Sequence, residues 1–124
     1  MTFFLMALCG GLGAVVRFLV DSAINKRNRL SVPLGTVVVN VTACFLLGLL
    51  TGLVSDLAAQ NPALSASLAT ILGTGFLGGY STFSTASVEG FREFERGRVW
   101  RGVAHAGGML VLCLTAGALG LLLG

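Results

Sequence analysis

The chain has 124 residues, of which 55% are hydrophobic and only 10% charged, against about 25% charged in an ordinary water-soluble domain. Polar side chains this scarce cannot cover a water-soluble globule, which excludes that class. The net charge of +3 does not argue for a nucleic-acid partner, because the basic residues other than Arg17 lie in short loops beside apolar stretches, where they set membrane topology.

Charged residues are absent between Arg29 and Asp56 and between Asp56 and Glu89, and beyond Arg101 only His105 can ionise; these gaps are 26, 32 and 23 residues long. Each suffices for the roughly 20 apolar residues that cross a bilayer as a helix. A fourth apolar stretch, at the start of the chain, is interrupted by Arg17 and Asp21. No Lys or Arg precedes it, so it reads as a span and not as a secretory signal. The expectation is an all-α membrane protein forming one four-helix domain over 1–124, with spans at about 3–24, 32–54, 63–88 and 99–123.

In the first span Arg17 carries charge at a depth where it either snorkels to the interface or marks a functional site. In the second, Pro33 suits the first helical turn. Asn40 lies mid-span, where its amide can donate to an anion or tie helices together. Asn61-Pro62 marks the turn before the third span.

The third span contains GTGFLGGYSTFSTAS at 73–87, four glycines and a dense Ser/Thr cluster that weaken a helix. Either the helix stays intact with a glycine packing face, or it breaks at Gly78-Gly79. A break frees backbone polar groups at membrane depth, which survive only if buried in protein, lining water or holding an ion.

The connector EGFREFERGR at 89–98 reads as a solvated helix extension or loop. In the fourth span His105 stands alone and reads as a packed residue, and Thr115 is the only hydroxyl. Cys9, Cys44 and Cys113 show no metal-type spacing and read as small hydrophobes. Four-residue glycine spacings at Gly48 and Gly52, Gly75 and Gly79, and Gly120 and Gly124 suit close helix packing in lipid. Nothing in the sequence forms a catalytic set, so no enzyme is expected.

Three stretches together, GGLGAVVRF at 10–18, GTVVVN at 35–40 and GGYSTFST at 78–85, resemble the signature stretches of Fluc (CrcB-type) fluoride channels. Their order, spacing and four-span layout match over nearly the whole chain. The resemblance implies an antiparallel dimer in a bacterial-type plasma membrane, with two fluoride pores and a third helix broken near its middle. It implies a structural sodium ion at the dimer centre, held by the backbone carbonyls of Gly78 and Ser81. It puts Asn40, Phe83, Ser84 and Thr85 at the pore and gives Arg17 the first-helix arginine's place. Fluoride sheds its strong hydration only where donors replace it, and an amide, a hydroxyl or the edge of an aromatic ring can contribute.

Two departures stand out. The family's second phenylalanine, three residues after the first, is replaced by Ala86, and the fourth span lacks the polar track the resemblance leads one to expect. One of the two pores is therefore expected to be impaired.

Four spans put the first and third loops on one side of the membrane. Lys26, Arg27, Arg29, Arg92, Arg96, Arg98 and Arg101 all fall there, and no basic residue falls in the second loop. Such a bias predicts a single orientation with both termini outside. An antiparallel homodimer needs balanced loops, so the expected partner is a homologous subunit of opposite bias. The alternatives are a small multidrug transporter, which needs a membrane-embedded acid where only Asp21 is present, and a scaffold whose glycines serve packing alone.

Overall fold

The computed structural model describes residues 1–30 and 32–124. These form α1 (Thr2–Arg27), α2 (Leu34–Gln60), α3 (Pro62–Leu68), a π-helical segment (Ala69–Leu77), α4 (Gly78–Tyr80), α5 (Phe83–Glu95) and α6 (Val99–Leu123). Four stretches are long and apolar enough to cross a bilayer: α1, α2, the composite third span Pro62–Glu95, and α6. Large apolar side chains such as Phe4, Leu12, Leu53, Leu114 and Leu122 face outward, as lipid contact requires. The chain is a multi-pass membrane protein.

The helices outrun the apolar stretches, because backbone hydrogen bonding continues where hydrophobicity stops. Thus α1 reaches Arg27, α2 reaches Gln60, and α5 carries the third span to Glu95. The start of the second span moves the other way, to Leu34: the residue before a proline avoids helical geometry, and Pro33 occupies the cap position. Asn61 caps α3, its side-chain oxygen accepting from the Leu64 amide at 3.1 Å, with Pro62 in the first helical turn. After α5 the chain turns through Gly97, whose φ of 70° suits glycine because it has no Cβ to clash.

Packing follows two parallel helix pairs. The most extensive joins α2 to α6, where backbones approach so closely that a methyl group on Gly48 would strike the Gly117 carbonyl and one on Gly120 the Phe45 carbonyl. In the second pair, Gly13 of α1 lies against the Phe76 carbonyl and Gly79 against the Gly10 carbonyl. The glycine spacings therefore serve close approach, and Gly124 closes on Leu49 in the same way.

The small core is Val39, Ala43 and Tyr80, with Val20 packed against it. Tyr80 brings it to the third span: its ring stacks on Phe76 at 6.3 Å between centroids, and its hydroxyl lies 3.0 Å from Thr42 Oγ1.

Candidate functional site at the break in the third helix

The third span is broken, but not where its glycines suggest. Gly78 and Gly79 are helical, and the break falls at Ser81 and Thr82, both extended, with ψ of 160° and 115°. The physical reason lies across the molecule, in α2. Asn40 Oδ1 accepts from the Thr82 amide at 2.8 Å, and Asn40 Nδ2 donates to the Thr82 carbonyl at 2.9 Å. A side-chain amide has the same donor and acceptor as a peptide unit, so Asn40 pairs with Thr82 much as a neighbouring strand would. Both main-chain groups of the break residue are satisfied at membrane depth, where leaving either unmade costs about 1–3 kcal/mol. Gly78-Gly79 has no such partner, and Gly79 is committed to packing on Gly10.

Thr82 also starts the next helix. Its Oγ1 accepts from the Thr85 amide at 3.2 Å and donates to Thr85 Oγ1 at 2.9 Å, an N-cap of the usual kind. The amides of Phe83 and Ser84 open α5 without intrahelical acceptors, and they sit at the positive end of a 13-residue helix, which favours an anion. The Phe83 side chain is 87% exposed and Ser84 is exposed beside it, so this polar end opens outward from the single chain.

The carbonyls of Gly78 and Ser81 lose their ordinary partners at the same point. The donor four residues beyond Gly78 is the Thr82 amide, turned to Asn40; the donor four beyond Ser81 is the Thr85 amide, turned to Thr82 Oγ1. Hard, neutral carbonyl oxygens are the donor type an alkali cation takes.

Arg17 is half-buried past the middle of α1, with no hydrogen-bond or ion-pair partner among the described residues. Ala86 is half-buried on α5. Thr115 turns to its own helix, donating to the carbonyls of Val111 and Leu112 at 3.0 Å, so α6 offers no free hydroxyl. Where α6 meets Asn40 it presents sulfur instead: Met109 Sδ lies 3.6 Å from Asn40 Nδ2.

The connector is largely the exposed helix extension expected of it, and Glu89 at its start is the exception. It is half-buried, Thr36 Oγ1 donates to its Oε1 at 2.7 Å, and its Oε2 and the Nε2 of His105 are both enclosed without partners. They line a cavity of about 560 Å³ with Pro33, Arg92, Arg96 and Arg101, so the first and third connections lie at one basic end of the molecule.

Sequence reasoning missed three participants. Thr82 carried a usable signal, a threonine directly ahead of a helical stretch. Tyr80 and Glu89 carried none, since their partners Thr42 and Thr36 are 38 and 53 residues away.

A span interrupted at membrane depth, its freed groups met by a buried amide and a capping hydroxyl, defines a helical membrane protein of the channel or transporter class. The sequence matches the family described as "CrcB-like protein, Camphor Resistance (CrcB)" over residues 4–121, and the chain belongs to that family. Among its relatives, "Fluoride-specific ion channel FluC 2" of Cutibacterium acnes is 48% identical, covering all of this chain and 98% of the relative. "Fluoride-specific ion channel FluC 1" of Leifsonia xyli subsp. xyli is 47% identical over 96% of this chain and 83% of the relative. "Fluoride-specific ion channel FluC" of Solibacter usitatus is 37% identical over 99% of this chain and 98% of the relative. These relatives are named as channels, and the chain is not an enzyme.

Proposed function

We propose that this chain is one subunit of a fluoride-specific channel through which the anion leaves the cytoplasm passively. The observation that carries the reading is the break at Ser81 and Thr82, which turns the amide end of α5 outward beside Phe83 and Ser84. Relatives named as fluoride-specific channels over essentially the full chain support it. Fluoride enters a cell as the neutral weak acid, dissociates in the more neutral cytoplasm, and the trapped anion leaves down its gradient. Asn40 holds the break, while Phe83, Ser84 and Thr85 line the path and replace part of the ion's hydration. Arg17, without a partner among the described residues, adds positive potential to it.

In this reading the working unit is an antiparallel dimer in a bacterial plasma membrane. A sodium ion at its centre is held by the Gly78 and Ser81 carbonyls of both subunits and adds fixed positive charge near the anion. The seven basic residues of the first and third connections face the cytoplasm and the termini face outward. That fixed orientation calls for a homologous partner of opposite bias; relatives named FluC 1 and FluC 2 fit a family with paired copies. With Ala86 in place of a second pore phenylalanine, one of the two pores is degenerate.

Fluoride efflux from liposomes holding this chain alone, and from liposomes holding it with an opposite-bias homologue, tests the reading. Efflux only from the mixture is expected. Efflux from the chain alone removes the obligatory partner, and none from either removes the channel.

A further inference from the structure

The α2–α6 seam repeats every fourth residue with one offset. Asn40 meets Met109, 69 residues on, and Gly48 meets Gly117 at the same offset. The turn between them brings Cys44 opposite Cys113 across the seam. Cys44 also packs on Gly117, whose missing side chain lets the backbones close. Two half-buried thiols on different helices are thus held face to face, with the Met109 thioether one turn before Cys113 on the same face of α6.

We propose that Cys44 and Cys113 form a binding site for a soft divalent cation of linear coordination, the mercuric class. The choice among metals follows from ligand number and charge. Structural zinc needs four ligands, and no group of three or more His, Cys, Asp or Glu side chains is gathered among the described residues. Soft thiolate pairs suit cations of this class. A monovalent soft cation on two thiolates leaves one net negative charge at membrane depth, which is costly. A divalent one leaves none. Mercuric chloride, neutral and able to enter a bilayer, reacts with the two thiols to form two Hg–S bonds, releasing two protons and two chlorides without any redox change. The product ties α2 to α6 one turn from Asn40. On the channel reading, which this consequence alone rests upon, flux falls.

The test titrates the purified chain in detergent with mercuric chloride, following thiolate-to-metal absorbance, free thiols and thermal unfolding. The first equivalent is expected to consume two thiols and to raise the melting temperature, in the natural chain, which has three, and in C9S, which keeps only Cys44 and Cys113, alike. In C44S and C113S it is expected to be held about tenfold or more weakly against a competing monothiol, because the second thiol no longer acts at high effective concentration. Should C113S fold poorly, C44S and the C9S thiol count decide alone. Equal retention by C9S, C44S and C113S, or consumption of one thiol per metal in C9S, overturns the site. Fluoride efflux is read separately: metal binding without loss of flux keeps the site and removes its effect on transport.

Discussion

Asn40 of α2 and Thr82 at the break in the third span exchange two hydrogen bonds, 2.8 and 2.9 Å long, so one side-chain amide satisfies both main-chain groups of the residue where the helix stops. Replacing it with alanine strands an amide and a carbonyl at membrane depth. N40A is expected to lose about 2–4 kcal/mol of stability and nearly all fluoride efflux. Thermal unfolding in detergent and liposome efflux measure the two; a variant with natural stability and flux would remove Asn40 from both roles.

Phe83 makes the opposite prediction. A side chain 87% exposed in the single chain contributes little to its fold, so F83A is expected to unfold within about 0.5 kcal/mol of the natural protein. Its efflux, however, falls at least about tenfold, a change of about 1.4 kcal/mol in barrier. Equal losses of stability and flux would make Phe83 a packing residue.

The glycines divide by what surrounds them. A methyl group at Gly120 meets the Phe45 carbonyl and forces α2 from α6, so G120A is expected to cost about 1–3 kcal/mol. Gly107 and Gly108 of the same helix have open space around them, and G107A is expected to be neutral or to stabilise by up to about 1 kcal/mol, since alanine favours helix. Melting temperatures of the two variants check the contrast.

Tyr80 anchors the helix end before the break. Y80F removes only the 3.0 Å contact to Thr42, whose hydroxyl keeps the carbonyls of Val38 and Val39 as acceptors. The expected loss is about 0.5–1.5 kcal/mol. Tyr80→Ala also empties the core beside Val39 and Ala43 and is expected to cost about 3–5 kcal/mol, read by the same unfolding measurement.

Sodium removal tests the carbonyls of Gly78 and Ser81. Exchange of sodium for a bulky organic cation is expected to lower both melting temperature and efflux, with both restored on return to sodium. A protein indifferent to the exchange would leave those carbonyls to another partner.

The sequence alone determined what depends on neighbours along the chain. The four spans follow from uncharged gaps such as 57–88, long enough for a bilayer helix, and the turn at Asn61-Pro62 from local cap chemistry. The close-packing glycines and the one-sided basic loops were legible for the same reason. So were Asn40 and the 78–85 stretch as the place of interest, since a mid-span amide and a Ser/Thr-rich glycine run are costly in lipid without a purpose. Tertiary structure decided where the helix breaks, because backbone groups at membrane depth are freed where a partner can meet them, and Asn40 reaches Thr82, not Gly78. It also decided that Glu89 is enclosed with Thr36 and that Cys44 faces Cys113. Those pairings depend on how two parallel helices are offset, a quantity fixed by glycine contacts between chain segments 69 residues apart and written in no local stretch of sequence.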